Sequence, residues 1–249
     1  MAESTVEKVE NIETRRRARG GEFSEVGRSG IKRYGTRLYE EFLPNLRDVR
    51  GIKVYTEMRR NDPIVGAALT AIEQVIRSTS WFIEPGGDEN LEKEAAEHLK
   101  SCMEDMDHSW QDFLSDILTF LPYGWSWCEA VYKIRKGPSR VERFRSRFND
   151  GLVGWRKLAL RSHSSWHDWE YDEDDRGLVA MVQLDPTTNE KLRIPLSKSL
   201  LFRTKSEGEN PEGVSILRTC YRPWYIKKGI EEIEAIGVER DLIGLPVIK

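Results

Sequence analysis

Apolar residues recur at helical spacing from Val49 onward and predict two successive helices. The first stripe comprises Val49, Ile52, Tyr55 and Met58. Asp62 followed by Pro63 marks the start of the second helix, because an aspartate caps free N–H groups and proline needs none at the first position. The second stripe runs to about Ser78 and comprises Ile64, Ala68, Ile72, Val75 and Ile76.

The pattern then predicts a short strand and two more helices. Trp81-Phe82-Ile83 is typical of a strand, and Glu84-Pro85-Gly86-Gly87 ends it. Asp88 is the expected cap of the next helix. Its expected inward face comprises Leu91, Ala95, Leu99 and Met103. A further amphipathic stretch begins at Trp110 and stops at Pro122-Tyr123-Gly124.

The middle of the chain changes to short segments rich in aromatic and branched residues, separated by Gly, Pro, Asp or Asn. They predict strands of an antiparallel sheet, with residues 186–189 as a hairpin turn. The predicted strands are Trp125–Tyr132, Val153–Leu160, Trp166–Tyr171, Leu178–Leu184, Lys191–Leu196 and Leu200–Thr204.

A long helical stretch follows, from Val214 to about Arg240. Pro223 lies inside it and is expected to kink it, because the proline ring clashes with the carbonyl four residues back. The fold class is therefore α+β, with helices and an antiparallel mixed sheet followed by a long kinked helix.

Composition narrows the functional classes. Among 249 residues, 39 lysines and arginines face 42 aspartates and glutamates, a net charge of −3 that excludes a uniformly basic nucleic-acid binder. No apolar run approaches the ~20 residues of a membrane span, and the acidic start is unlike a secretory leader, so we expect a cytosolic product. Residues 1–46 are expected to form a flexible arm. Its basic cluster, Arg15 to Arg19, either touches nucleic acid or is a solvated tail.

Charge is distributed unevenly along the chain. Residues 84–112 carry ten acids and two lysines, whereas residues 133–161 carry ten basic residues and two acids. Such complementary segments suit head-to-tail assembly, in which one subunit's acidic face meets the next subunit's basic face. Alternatively, the two segments neutralise each other inside one subunit.

The sequence offers little catalytic chemistry. Three cysteines without a CxxC pair support neither a disulfide framework nor a zinc site. His163 and His167 are four residues apart but fall in a strand and turn, so we expect polar loop histidines and no metal or cofactor. The acidic run 172–175 is interpreted as a solvated hairpin tip, and phosphate-loop and nucleophile-elbow motifs are absent. The eight tryptophans favour core and interface packing over base stacking.

A series of short motifs gives the sequence a family likeness. These motifs include Asn61-Asp62-Pro63, Trp81-Phe82-Ile83-Glu84-Pro85, Tyr123-Gly124-Trp125, Glu129-Ala130-Val131-Tyr132, Gly213-Val214-Ser215, Trp224, Glu239-Arg240-Asp241 and Gly244-Leu245-Pro246. In their order and spacing over residues 50–247 they resemble the portal proteins of tailed bacteriophages, in particular the Mu-like group.

The resemblance implies a domain plan. Residues 47–212 would form the α+β "wing", and residues 213–249 the long "stem" helix and the start of a "clip". Most of the clip, a second stem helix and a crown, which portal proteins have, do not appear in this sequence. The interruption at Pro223 also departs from a straight stem helix.

The resemblance also implies a function. About twelve copies would form a ring at the capsid vertex of the virion, after synthesis in the host cytoplasm. The ring would pass double-stranded DNA during packaging and ejection, and would bind terminase, the major capsid protein and a head–tail adaptor. The chain would not be an enzyme, because ATP hydrolysis belongs to the terminase.

The charges of the presumed stem are the candidate site. Its first half carries Arg218, Arg222, Lys227 and Lys228. Its second half carries Glu231, Glu232, Glu234 and Glu239. We expect the basic half to face DNA or a neighbouring subunit and the acidic half to repel DNA, so that the duplex slides. Two competing functions stay open: a nucleic-acid-binding module that forms no ring, and a hydrolase with an unrecognised acid pair.

Overall fold

The computed structural model describes residues 30–172 and 177–243, and most predicted elements occur there. The helices are α1 (Asp48–Asn61), α2 (Pro63–Arg77), α3 (Asn90–Glu104), α4 (Trp110–Ile117), α5 (Phe120–Tyr123) and α6 (Tyr221–Ile243). The strands are β1 (Arg33–Tyr34), β2 (Arg37–Leu38), β3 (Trp125–Ile134), β4 (Val153–Arg161), β5 (Trp166–Tyr171), β6 (Leu178–Leu184), β7 (Lys191–Pro195) and β8 (Ser199–Arg203). The α+β prediction is confirmed.

The strands form two three-stranded antiparallel sheets, in the orders β4-β3-β8 and β5-β6-β7. The sequence predicted one sheet. A short 3₁₀ turn, His163–Ser165, separates β4 from β5, and β5 begins the second sheet. The hairpin at 186–189 is confirmed, since the Asp185 carboxylate accepts the Thr187 N–H at 2.7 Å and Leu184 pairs with Lys191.

Four tryptophans join the two sheets in one core. Trp125 and Trp127 of β3 and Trp166 and Trp169 of β5 are all buried. The Trp125 and Trp169 ring centroids are 5.0 Å apart at 73°, an edge-to-face geometry that adds to the gain from burial. For these four residues, packing rather than base stacking is confirmed.

The segment around α3 differs from expectation. Trp81-Phe82-Ile83 forms no strand, and α3 begins after Glu89 rather than Asp88. Its expected inward residues Leu91 and Leu99 are exposed, at 74% and 39%. Instead, the buried guanidinium of Arg135 lies against the helix and donates to Ser101 Oγ at 2.6 Å and to His98 Nδ1 at 3.3 Å. A buried cation needs polar partners, so the polar face of α3 turns inward.

Part of the expected flexible arm packs on the body. Residues 30–46 contain β1, β2 and a 3₁₀ turn, and they place Leu38 and Leu46 in the buried core. For these residues the expectation of an arm is wrong, because their leucines find apolar partners. Residues 1–29, with the basic cluster at 15–19, lie outside the described residues, as does most of the acidic run at 172–175.

Helix α6 starts later than predicted and is continuous. Residues 216–218 form a 3₁₀ turn, and Pro223 is the third residue of α6. The first turn of a helix leaves its N–H groups without helical partners, so a proline there removes no hydrogen bond. The predicted interruption is therefore wrong. Among the described residues, no helix is both long and apolar enough to cross a bilayer.

Candidate assembly and DNA-contact site

The connection into α6 is fixed at a close contact between two glycines. Gly124 ends α5 with φ of 92°, and Gly213 has φ of 59°. A Cβ on Gly124 would lie 2.5 Å from the Glu212 carbonyl oxygen, and a Cβ on Gly213 would lie 2.3 Å from the Gly124 oxygen. Only glycine combines this left-handed backbone with so close an approach.

Hydrogen bonds hold the same junction. Thr204, which follows β8, donates its N–H to the Gly124 oxygen at 3.0 Å, and its Oγ1 accepts the Val214 N–H at 3.0 Å. The Ser215 hydroxyl donates to the Pro122 oxygen at 2.6 Å. The end of α5, the end of β8 and the entry to α6 are thus one unit.

Three ion pairs then attach α6 and the 3₁₀ turn before it to the body. The shortest N–O distances are 2.6 Å for Arg218–Glu41, 2.9 Å for Lys227–Asp62 and 2.6 Å for Lys228–Glu57. Asp62 also caps α2, since its Oδ1 accepts the Ile64 N–H at 2.9 Å. The hydrogen bond from Lys227 holds the pKa of Asp62 below its ordinary value.

The basic half of the predicted site therefore faces its own subunit. Arg218, Lys227 and Lys228 are engaged by carboxylates of the same chain, and Arg222 is exposed. The acidic half is more accessible, because every residue from Ile230 to Asp241 is exposed, although Glu231 lies 3.7 Å from Lys227. These include Glu231, Glu232, Glu234, Glu239 and Arg240.

The exposed half of α6 carries an apolar stripe that the sequence analysis missed. Spacings of four, three and three residues place its isoleucines along one side of the helix. They are Ile226, Ile230, Ile233 and Ile236, exposed at 51%, 57%, 72% and 57%. The isoleucine spacing itself is the signal in the sequence that predicts this stripe. A contiguous exposed stripe of this kind marks an interaction surface.

Helix α2 carries a second apolar face that the described part of the chain leaves largely exposed. None of its residues is buried, although only Glu73 and Arg77 are charged. Ile64 and Val75 are exposed at 73% and 69%. The predicted helix is confirmed, but part of its apolar stripe faces away from the core of its own subunit.

A family model for the portal protein of Mu bacteriophage matches residues 52–249. The chain belongs to this portal family. No curated protein matches it. The matched range includes nearly all of α1 and every later element through α6, so the likeness inferred from the order of short motifs is confirmed for the family.

The portal-family motif residues serve mainly to join elements. Tyr123 donates or accepts a 2.9 Å hydrogen bond with Thr56 and stacks on His163 at 4.1 Å. Trp224 packs against the buried cluster of α1. Glu129 pairs with Arg161 across the β3-β4 ladder. Of the others, Asn61 ends α1, Pro63 begins α2, Trp81 is half exposed beside Trp110, and Gly244 and Pro246 lie outside the described residues.

His163 of this portal subunit is a packing residue, not the expected polar loop residue. It is buried, and its Nε2 lies 2.6 Å from the Trp125 carbonyl oxygen, which requires a proton on Nε2. Burial lowers the pKa of His163 to about 4, against the hydrogen bond to Trp125. Within residues 30–172 and 177–243, no group of three or more His, Cys, Asp or Glu side chains is arranged to hold a metal ion.

Glu212 places a titratable carboxyl beside the glycine junction. The Trp169 indole donates its Nε1–H to Glu212 Oε1 at 3.0 Å. Burial raises the pKa of Glu212 to about 7, against that hydrogen bond and with a small contribution from the negative charge of Asp48. The folded state therefore holds a proton here that the unfolded state releases near pH 4.5.

Because the pKa of Glu212 is raised, we expect Glu212→Gln to change the stability of the protein in a pH-dependent way. The wild-type Glu212 carboxyl contributes to the free energy of unfolding. This contribution is fully present below pH 4.5 and is lost as pH rises through about 7, because the carboxyl of the folded protein must then ionise while buried. Glutamine keeps the acceptor for Trp169 without the charge. Urea unfolding should show similar stabilities near pH 5 and a variant more stable by about 1 kcal/mol or more at pH 8. The control, Glu207→Gln, removes an exposed carboxyl of the same loop and should preserve the wild-type profile; parallel profiles for Glu212→Gln and wild type would contradict the prediction.

Proposed function

We propose that this chain is one subunit of a portal ring of about twelve copies at a capsid vertex, through which double-stranded DNA is packaged and ejected. The observation that carries the proposal is the form of α6, a 23-residue helix attached by its beginning and exposed from Ile230 to Asp241 in a chain of the portal family. Terminase, the major capsid protein and a head–tail adaptor are the proposed partners, and the virion is the proposed location.

The isoleucine stripe of α6 supplies the association energy in this proposal. Burying one exposed isoleucine side chain stabilises an assembly by roughly 1.5–3 kcal/mol. Four such residues, Ile226, Ile230, Ile233 and Ile236, are available on each subunit. Neighbouring α6 helices in a ring would cover these stripes, whereas an isolated subunit leaves them in water.

The charges of α6 fit a conduit rather than a tight binder of DNA. Two of the four cations of α6, Lys227 and Lys228, are neutralised within the subunit, as is Arg218 just before the helix, so a ring would not present a dense basic lining. The exposed glutamates of the second half, multiplied by the copy number, would repel phosphates and let the duplex slide. Arg222 and Arg240 are the exposed cations of α6 left for a contact with DNA or a neighbour. In this role the subunit performs no catalysis of its own.

Ile230→Asp with Ile233→Asp tests the stripe. Both side chains are exposed, so the thermal stability of the monomer should change by less than about 0.5 kcal/mol. Assembly should be lost, because aspartates would be buried at each contact. Native mass spectrometry measures the assembly. The matched control, Glu234→Gln on the same turns, should assemble as wild type does, and rings formed by the double aspartate variant would contradict the proposed packing.

A further inference from the structure

Several basic residues of the 133–161 segment are neutralised inside the subunit. Lys133 pairs with Asp105, Arg135 with Asp150, Arg156 with Asp107 and Glu142, and Arg161 with Glu129. Only Lys133 and Arg156 pair with acids of the segment 84–112, so the in-subunit alternative holds for these two residues. None of the carboxylates in these ion pairs belongs to α3.

The remaining arginines lie together on one anchored loop, residues 138–148, here called the arginine loop. Asp105, at the end of α3, holds it in place: the Ser146 hydroxyl donates to Oδ2 at 2.6 Å and the Arg147 N–H donates to Oδ1 at 2.8 Å. Lys133 Nζ lies 3.0 Å from the same carboxylate, with both side chains almost fully buried. The exposed arginines of the loop are Arg140, Arg143, Arg145 and Arg147.

These four guanidinium groups have no carboxylate partner among the described residues. The Arg143 guanidinium carbon lies 4.8 Å from the centroid of the Phe144 ring. Arg140, Arg145 and Arg147 border a cavity of about 610 Å³ whose wall includes the anchored Asp105. The loop thus presents a concave cationic surface. Because hydrogen bonds to Asp105 already hold its backbone, binding a partner would cost little conformational entropy.

The opposite charge lies on α3 of the same chain. Glu94 and Glu97 are exposed and have no ion pair among the described residues, and Asp88 and Glu89 lie just before them. Glu94 is eleven residues from Asp105, which at 1.5 Å per residue is about 16 Å along the helix. Glu97 is eight residues from Asp105, or about 12 Å. The acidic surface is therefore separated along α3 from the residue that anchors the arginine loop.

We propose that the α3 carboxylates of one subunit bind the arginine loop of the next subunit. The inference rests on the proposed ring. It follows from two unpaired surfaces of opposite sign on one chain, each too far from the other to be neutralised internally. Because the two surfaces differ, the contact is heterologous, and repeating it generates a ring when the rotation closes.

A reciprocal charge swap tests this contact. The acidic-loop variant carries Arg140→Glu and Arg145→Glu, and the basic-helix variant carries Glu94→Lys and Glu97→Lys. All four side chains are exposed, so both variants should fold as wild type does. Each variant alone places like charges against each other, and we expect its association to weaken at least tenfold at 0.15 M salt.

Mixing the two variants in equal amounts should restore association. Helix acids of the first variant then meet loop arginines of the second, and helix lysines of the second meet loop glutamates of the first. Native mass spectrometry identifies the mixed species because the two variants differ in mass. Combining all four substitutions on one chain should restore association as well.

The results of these experiments distinguish failure of the proposed contact from failure of the proposed ring. Mixed complexes without closed rings would support the contact and count against the ring. Rings formed normally by either variant alone would overturn the contact and leave the ring proposal standing. Impaired variants that fail to rescue each other would also overturn the contact, and loss of duplex DNA binding by the acidic-loop variant alone would assign the loop to nucleic acid instead.

Discussion

Gly124→Ala is expected to destabilise the subunit by about 3 kcal/mol or more. A left-handed backbone costs a non-glycine residue roughly 1–2 kcal/mol, and the new Cβ would meet the Glu212 oxygen at 2.5 Å. Overpacking of this kind adds about 1–3 kcal/mol. Gly213→Ala should have a similar effect, because its Cβ would lie 2.3 Å from the Gly124 oxygen. Thermal unfolding should show melting temperatures lower by roughly 6–12 °C.

Gly151→Ala is the control that separates the two causes. Gly151 has φ of 71°, but no atom lies within 4 Å of a Cβ built there. It should lose only the roughly 1–2 kcal/mol of backbone strain. Equal melting temperatures for the three alanine variants would contradict this prediction. They would show that the close approach of Gly124 and Gly213 adds nothing to the destabilisation beyond backbone strain.

Lys133→Met is expected to cost about 3–5 kcal/mol, because it leaves the buried Asp105 carboxylate without its cation. Burial by itself would raise the pKa of Asp105, but hydrogen bonds from Arg147, Ser146 and Lys133 outweigh it and hold that pKa below its ordinary value. Urea unfolding measures the loss. Amide exchange in residues 138–148 should also become faster, because the same carboxylate anchors the arginine loop.

The control for this pair is Arg193→Met. Arg193 Nε lies 2.7 Å from Glu170 Oε2, but the two side chains are 51% and 39% exposed. An exposed ion pair contributes about 0–1 kcal/mol, so this variant should be nearly as stable as wild type. Equal losses from Lys133→Met and Arg193→Met would show that burial does not set the strength of the Lys133–Asp105 pair.

The six main strands could be predicted to within two residues, because alternating aromatic and branched residues and polar turns are local signals. The Asp62 cap with Pro63 was predictable for the same reason. The separation of the strands into two sheets could not be predicted from the sequence. The direction of β5 after the His163–Ser165 turn depends on the tertiary packing of the tryptophans.

The inward face of α3 shows why apolar periodicity can mislead. Leu91 and Leu99 formed the expected buried face, but Arg135 lies under the helix and requires Ser101 and His98. A single sequence does not reveal that a distant arginine will be buried there. The spacing of Ile230 and Ile233 likewise predicts an apolar stripe, but it does not reveal whether the same subunit or another molecule covers that stripe.

The partners of the candidate-site charges could not be predicted from the sequence. The charges of α6 were identified from sequence, yet Lys227 and Lys228 attach the helix to the body through Asp62 and Glu57. The carboxylates that bind them lie more than 160 residues earlier in the chain. Such long-range pairing follows from the fold, which places α6 beside α1 and the start of α2.

Native mass spectrometry of the purified wild-type chain, with negative-stain images across a range of salt, tests whether the chain forms the proposed ring. We expect closed rings of about twelve subunits with an axial hole. We also expect rising salt to weaken the rings through the arginine loop while the isoleucine stripe still favours association. A chain that stays monomeric at every salt and protein concentration, with its isoleucines in water, would contradict the proposal.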